Sequence, residues 1–240
     1  ALGYSDYRAW CGGRLVITAG GDREATIHKR LEIASPPGWK PRPLTSLRGR
    51  AWGSVACAPD GRSVVVQSQP AAQLTNFFAT RWQLWRVRLD GTATPLTHPA
   101  AQHADESPQL SPDGKTLYVT VAEDNFIAIF DVEKRAFTGR IATGVYPNRV
   151  AITPDGRTLV YSLMKSNAVG FADVASKREI GEVKASGPTM SLSLSRDGKL
   201  AYTGIQEQDK VVEISVPERR IVQEFATPKG SGPDPVLALR

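Results

Sequence analysis

The chain has 240 residues, of which 41% are hydrophobic and 22% charged, a composition typical of a soluble globular protein and not of a disordered one. No apolar run approaches the roughly 20 residues that a membrane-spanning helix needs. The net charge of +6 could suit nucleic acid, but the basic pairs lie far apart along the chain. We therefore expect a solvated polar surface and no nucleic-acid partner.

Two other general features concern processing and cysteines. The chain begins at Ala1, without a Met, so we expect a processed or trimmed product whose export signal is not visible. Cys11 and Cys57 form no CxxC pair, and His28, His98 and His103 lie far from both, which argues against a zinc site. One disulfide is possible, but both cysteines fall in apolar strand-like segments. We predict two buried free thiols.

One turn phrase recurs along the chain. It reads "APDGRSVVVQ" at 58–67, "SPDGKTLYVT" at 111–120, "TPDGRTLVYS" at 153–162 and "SRDGKLAYTG" at 195–204. The last three turns are 42 residues apart, and Asn125, Asn167 and Asp209 keep the same step. Pro presets φ, Asp can bond its own downstream backbone, and Gly accepts the positive φ of a tight turn. The phrase therefore predicts an antiparallel hairpin in each repeat.

Each repeat contains four short strand-like segments, which is typical of a β-propeller blade. In chain order, the predicted blades span residues 5–48, 50–98, 105–143, 146–185 and 188–227. An insertion at 68–81 lengthens the second blade, and "PDPVLALR" at 233–240 resembles the first strand of a further blade. We predict an all-β fold, a single β-propeller over residues 1–240 with five four-stranded antiparallel blades and a partial sixth.

The predicted extra strand at 233–240 needs a partner, because an unpaired apolar strand promotes association. It could displace residues 5–10, pair with another copy of the chain, or mark a truncation. We therefore expect a protein partner or self-association through this C-terminal strand.

Two repeat families are recognisable in these segments. "SPDGKTLYVT", "DNFIAIFDV" and "GVYPNRVAITPDG" make residues 111–240 similar to YVTN-type propellers, which are related to lactonase-like propellers. "WQLWRVRLDGTATPLTH" at 82–98 and "ADESPQLSPDG" at 104–114 resemble the TolB-like (PD40) repeat, which covers about residues 1–114. The resemblance implies a periplasmic or extracellular location.

Composition also changes near residues 110–118. All five Trp precede this point, and Lys rises from two in residues 1–113 to eight in residues 114–240. A recombined or engineered chimera of the two repeat types would show this change, and a natural propeller with mixed blades is the alternative.

Candidate site residues lie in loops. For the mouth of a propeller channel, the candidates are His103, Asp105, Glu106, Asn125, Asn167 and Asp209; the alternative is that they cap turns. The insertion offers an apolar partner contact through Leu74, Phe77 and Phe78; the alternative is that these side chains pack over the propeller's own edge. No Ser-His-Asp set, GxSxG, HExxH or phosphate-binding loop is recognisable, so we predict no catalytic, cofactor or metal residues.

The leading functional hypothesis is a non-enzymatic scaffold or protein-interaction module. One alternative is a periplasmic propeller enzyme domain, either a lactonase-like hydrolase or a redox-associated propeller. Another is a natural TolB-like fragment that binds a partner in the cell envelope.

Overall fold

The computed structural model describes residues 5–19, 29–70, 83–98 and 106–234. Within these residues, β-strands form five four-stranded sheets, and each strand pairs with its neighbours in the chain. The pairings with a described register are antiparallel throughout. The prediction of an all-β propeller with five four-stranded blades is confirmed.

The strands of the first two blades are β1 (Ser5–Cys11), β2 (Arg14–Ala19), β3 (Arg30–Ala34), β4 (Arg42–Pro43), β5 (Arg50–Cys57), β6 (Ser63–Pro70), β7 (Gln83–Arg88) and β8 (Ala93–Pro95). Those of blades three to five are β9 (Glu106–Leu110), β10 (Thr116–Val121), β11 (Phe126–Asp131), β12 (Ala136–Ala142), β13 (Pro147–Ile152), β14 (Thr158–Leu163), β15 (Ala168–Asp173), β16 (Arg178–Lys184), β17 (Ser193–Leu194), β18 (Leu200–Ile205), β19 (Lys210–Ser215) and β20 (Arg220–Ala226).

Strand position within a blade decides burial. The middle strands β10, β14 and β15 are buried along nearly their whole length, because apolar residues occupy both faces. The fourth strands β12 and β16 are mostly exposed. Of the predicted extra strand, Pro233 and Asp234 are not in a strand. Residues 235–240 lie outside the described part of the chain.

The recurring turn closes the first hairpin of blades two to five as predicted. In blade three, Gly114 has φ of 71° and donates its N–H to the Ser111 carbonyl at 2.8 Å. The Asp113 carboxylate accepts the Ser111 hydroxyl at 2.5 Å and the Lys115 N–H at 3.0 Å, and these bonds hold the pKa of Asp113 below its usual range. The repeated Asp therefore builds the turn.

The same turn joins consecutive blades. A Cβ on Gly114 would lie 3.2 Å from Cδ of Pro59, the proline of the preceding hairpin, and a Cβ on Gly198 would overlap Cδ of Pro154. Gly12 in the first hairpin similarly lies against the Gly61 backbone. In blades two and three, and in blades four and five, the Gly of one phrase thus lies against the Pro of the preceding one.

The chain divides into two compact units. The first contains residues 1–117 and 131–136, and the second contains residues 118–130 and 137–240. The first unit has a buried cluster that includes Val16, Ile33 and Val64. The second has one cluster around Tyr161 and Leu159 and another around Phe171 and Ile214. The prediction of a single domain over residues 1–240 stays a prediction.

The prediction of two free thiols is wrong. Cys11 and Cys57 form a disulfide with an S–S distance of 2.06 Å and a Cα–Cα distance of 5.4 Å. Each cysteine ends the first strand of its blade, Cys11 in β1 and Cys57 in β5. Because these first strands are neighbours in the first unit, their ends meet although 46 residues separate them. Their spacing of about one repeat was the signal in the sequence.

No helix in the described part of the chain has the length and apolar character needed to cross a membrane.

Candidate functional site

The loops between second and third strands lie at the opposite end of each blade from the recurring hairpin. In the second unit, this loop ends at Asn125, Asn167 or Asp209, with φ values of 58°, 50° and 50°. Such left-handed conformations suit Asn and Asp better than most side chains. The 42-residue step therefore reflects the same loop geometry in three successive blades.

The backbone carbonyls of these three residues hold the start of the connection to the next blade. Asn125 accepts the N–H of Thr143 at 3.0 Å, and Asn167 accepts that of Ala185 at 2.8 Å. Asp209 accepts the N–H of Thr227 at 2.7 Å.

The side chains of Asn125 and Asp209 also bind the segment that follows their blade. Asn125 accepts the Tyr146 N–H on Oδ1 at 2.9 Å. The Asp209 carboxylate accepts the N–H groups of Gly230 and Gly232 at 2.7 and 3.1 Å, and these bonds lower the pKa of Asp209. This geometry favours the alternative in which Asn125 and Asp209 hold turns in place, because their side-chain oxygens accept hydrogen bonds from the protein backbone.

The other predicted site residues are not covered by this description. His103 and Asp105, with Leu74, Phe77 and Phe78 of the insertion, lie outside the described residues. Glu106 begins β9, but its side chain is not described. Their roles stay predictions.

A polar network at the same end of blade two was missed by sequence reasoning. Arg50, at the start of β5, donates from Nε to Ser68 Oγ at 2.8 Å and from Nη2 to Gln83 Oε1 at 3.3 Å. Its guanidinium carbon lies 4.5 Å from the centre of the Trp85 ring, within the range of a cation–π interaction. Partial burial lowers the pKa of Arg50.

Gln83 is the centre of this network. Its Oε1 also accepts the Trp85 Nε1–H at 2.9 Å, its Nε2 donates to the Thr97 carbonyl at 2.6 Å, and Nε2 lies 3.2 Å from His98 Nδ1. Gln83 and Trp85 are two residues apart in one strand and so share a face. The alternation of polar and aromatic residues in this strand was the signal for the network in the sequence. Only the fold, however, places Arg50 beside Gln83 and Trp85.

Among the described residues, no group of three or more His, Cys, Asp or Glu side chains could hold a metal ion.

One known propeller family is similar to part of the chain. The family described as Lactonase, 7-bladed beta-propeller matches residues 89–190, from the last turn of blade two to the start of blade five. No curated protein matches the sequence. The match supports the predicted lactonase-like resemblance, but it covers less than half of the chain.

A solved chain from Kuenenia stuttgartiensis Hydrazine Synthase is 21% identical and superposes with a TM-score of 0.61. The likeness covers 75% of this chain and 49% of the solved one, so this chain spans about half the length of that relative. In all, 1562 solved chains match, as expected of a fold that hosts many functions. At this identity, the likeness shows the fold alone.

Proposed function

We propose that this chain is a non-enzymatic β-propeller that acts as a rigid scaffold or protein-interaction module. The observation that carries the proposal is a set of exposed apolar side chains on the fourth strands of the second unit. Phe137 on β12 is 53% exposed, Ile180 on β16 is 40% exposed, and Val222 and Phe225 on β20 are 37% and 39% exposed.

Fourth strands are sheet edges, so one side of each backbone has no ladder partner in its own blade. Exposed apolar side chains on such an edge can contact a partner protein. Ile180 and Val222 are separated by the 42-residue repeat, so β16 and β20 present an apolar residue at the same position. We call Ile180 and Val222 the edge pair.

The proposal is tested by removing the edge pair without disturbing the sheet. Thr keeps the β-branched shape and strand preference of Ile and Val, so we expect Ile180→Thr/Val222→Thr to fold normally and to lose capture of its partner from an extract of the producing organism. Val145→Thr is the matched control, because Val145 is 48% exposed but lies between blades. Equal capture by the double variant and the wild type would refute the edge as the interaction surface.

Two further contacts belong to the same proposal. Leu74, Phe77 and Phe78 of the insertion remain proposed partner contacts, and residues 233–240 a proposed self-association strand. Sedimentation of the full chain and of a variant lacking 235–240 tests the second, since an unchanged monomer in both would exclude it.

An enzymatic role is the second candidate, and the lactonase match at residues 89–190 favours it. A lactonase-like hydrolase would turn over lactones with or without an added divalent metal. A redox-associated propeller would instead remain bound to a redox partner. Lactone turnover by the purified chain would replace the scaffold proposal.

We further propose that the chain combines TolB-like and YVTN-like blades. Apart from residues 131–136, which belong to the first unit, the boundary between the two compact units lies between Leu117 and Tyr118. This boundary is at the edge of the segment where the composition changes. The lactonase match crosses this point, so the similarity to that family begins before it. Two separate unfolding transitions would support the combination, and a single shared transition would count against it.

A periplasmic or extracellular location is also proposed. The Cys11–Cys57 disulfide supports it, because disulfides persist in oxidising compartments and are rare in the cytosol. Thiol alkylation of the protein from its native source, followed by mass measurement, tests this location. Two alkylated cysteines would contradict it.

A further inference from the structure

Two tryptophans lie together at the hairpin end of blade one. Trp10 is next to last in β1, and Trp39 lies in the turn between β3 and β4. The four strands pair in chain order and antiparallel, so the turns after the first and third strands are at the same end. The two ring centroids are 5.4 Å apart, and the ring planes are inclined by 35°. We call Trp10 and Trp39 the tryptophan pair.

Both rings are exposed although they touch each other. Trp10 is 63% exposed, more than any other large apolar side chain that the structure describes, and Trp39 is 42% exposed. Trp52 of blade two, which also contacts a second tryptophan, Trp85, is only 3% exposed. Tryptophan is highly buried on average, and adjoining apolar side chains on a surface mark a contact site. The tryptophan pair is therefore a candidate binding surface.

The backbone that carries the pair is held in place. Cys11, directly after Trp10, is fully buried and forms the disulfide with Cys57. Trp39 donates its N–H to the Ser35 carbonyl at 3.0 Å. A ligand that stacks on these rings meets a surface that is already formed, so binding costs little backbone entropy.

The sequence around the pair carries only positive charge. Residues 7–21 and 33–59 contain no Asp or Glu. Arg14 follows the first turn, and Lys40 and Arg42, which follow the second tryptophan, are both exposed. Because cations repel one another, this composition disfavours a cationic ligand on the indole faces and favours an anionic one.

Blade two leaves this balance unchanged. Its first hairpin touches the first hairpin of blade one and adds one carboxylate, Asp60, together with one cation, Arg62. The next turn of blade two contains Asp90, which is paired with Arg88 at 3.0 Å. The three cations of blade one are therefore not offset by these two carboxylates.

We propose that the tryptophan pair binds an acidic saccharide, with a sugar ring stacked on an indole and a carboxylate facing the cations of the second turn. The C–H groups on one face of a pyranose carry partial positive charge and complement the negative face of an aromatic ring. The choice of a saccharide over a nucleic acid rests on the proposed location outside the cytosol, which the disulfide beside Trp10 supports. This binding function is additional to the proposed protein contacts.

A short oligogalacturonate is the probe, titrated into the purified chain by calorimetry at low and high salt. Its methyl ester keeps the sugar rings and removes the charge, and oligoglutamate keeps the charge without the rings. We expect the wild type to bind oligogalacturonate, and to bind it more weakly at high salt. We expect weaker binding of the methyl ester and none of oligoglutamate.

Substitutions separate stacking from charge. Trp10→Ala should weaken binding of oligogalacturonate by about tenfold or more, as loss of a stacked ring does. Trp10→Phe should lose less, because it keeps a smaller aromatic face. Lys40→Gln/Arg42→Gln should weaken binding by about two- to fivefold at low salt, as loss of exposed ion pairs does, and should leave binding of the methyl ester unchanged.

Each class of substitution has a matched control. Phe137 is 53% exposed and forms an edge-to-face pair with Phe130, so Phe137→Ala removes a different exposed aromatic pair. Arg196→Gln/Lys229→Gln removes two exposed cations of the second unit. We expect both controls to bind within about twofold of the wild type. Equal losses in Trp10→Ala and Phe137→Ala would overturn the proposal, and so would a wild type that binds no oligogalacturonate.

The same titration with oligothymidylate tests the other polymer with stacking rings. Tighter, Trp10-dependent binding of oligothymidylate would assign the pair to nucleic acid and overturn the saccharide. The fold of each variant is checked by its urea midpoint, and Trp39→Ala gives a second reading if Trp10→Ala is destabilised. Partner capture by the edge pair is measured separately, so its failure leaves Trp10-dependent saccharide binding standing, and the reverse result leaves the edge proposal standing.

Discussion

Gly170 faces Tyr161 across the second and third strands of blade four. A Cβ at Gly170 would overlap ring atoms Cε2 and Cζ of Tyr161, whose hydroxyl donates to Glu179 Oε2 at 2.6 Å. Burial and this bond raise the pKa of Tyr161, so it stays a neutral donor. We expect Gly170→Ala to lower the free energy of unfolding by about 1–3 kcal/mol, as overpacking of a filled core does, in urea unfolding.

Gly139→Ala is the control for this prediction. Gly139 is also a strand glycine of the second unit, but a Cβ there would be 3.6 Å from Lys177 Nζ and 3.8 Å from Ile129 Cδ1, which are ordinary contacts. We expect it to be neutral or slightly stabilising. If both variants unfold at the same urea concentration, the Tyr161 ring does not require the glycine.

A second prediction at the scale of the residue concerns Asp209 and the loss of stability at acid pH. The backbone bonds from Gly230 and Gly232 lower the pKa of Asp209, so folding favours its charged form. The stability that Asp209 contributes is therefore present above the unfolded Asp pKa of about 3.9 and is lost as pH falls through the lower folded value. Asp209→Asn should reduce the loss of stability between neutral and acid pH in urea titrations. An Asp209→Asn variant that loses as much stability in acid as the wild type would contradict this role.

At the scale of the element, the hairpin is the unit that sequence reasoning predicted best. The spacing of Asp113, Asp155 and Asp197 located three blades because the turn chemistry is local. The contact of Gly198 with Pro154 was not predictable, since it joins two hairpins that only the fold brings together. The same reason explains why the disulfide and the Arg50 network were missed. Each joins residues from different strands that are far apart in sequence.

That contact supplies a prediction for the hairpin. Gly198 has φ of 71°, and an added Cβ would also overlap Pro154. Gly198→Ala should therefore combine the cost of a left-handed residue, about 1–2 kcal/mol, with an overpacking cost of about 1–3 kcal/mol. Gly230→Ala isolates the first cost, because Gly230 has φ of 77° and no atom within 4 Å of the added Cβ. Similar urea midpoints for the two variants would show that the contact between Gly198 and Pro154 adds no cost to the substitution.

At the scale of the whole molecule, the disulfide and the tryptophans both belong to the first unit. Trp10, Trp39, Trp52, Trp82 and Trp85 all precede residue 118, so Trp fluorescence reports on that unit. The Cys11–Cys57 bond closes a segment with a sequence separation of 46, for which the chain-entropy estimate is about 4 kcal/mol.

Reduction should therefore lower the urea midpoint measured by Trp fluorescence, because the unfolded first unit regains the entropy that the disulfide removed. Amide hydrogen exchange of peptides from residues 137–240 should change far less if the two units unfold separately. The Cys11→Ser/Cys57→Ser variant should match the reduced wild type and show no response to reductant. An equal loss of protection in both units would instead mean that the chain unfolds as one cooperative propeller, and that the division at Leu117 and Tyr118 has no energetic counterpart.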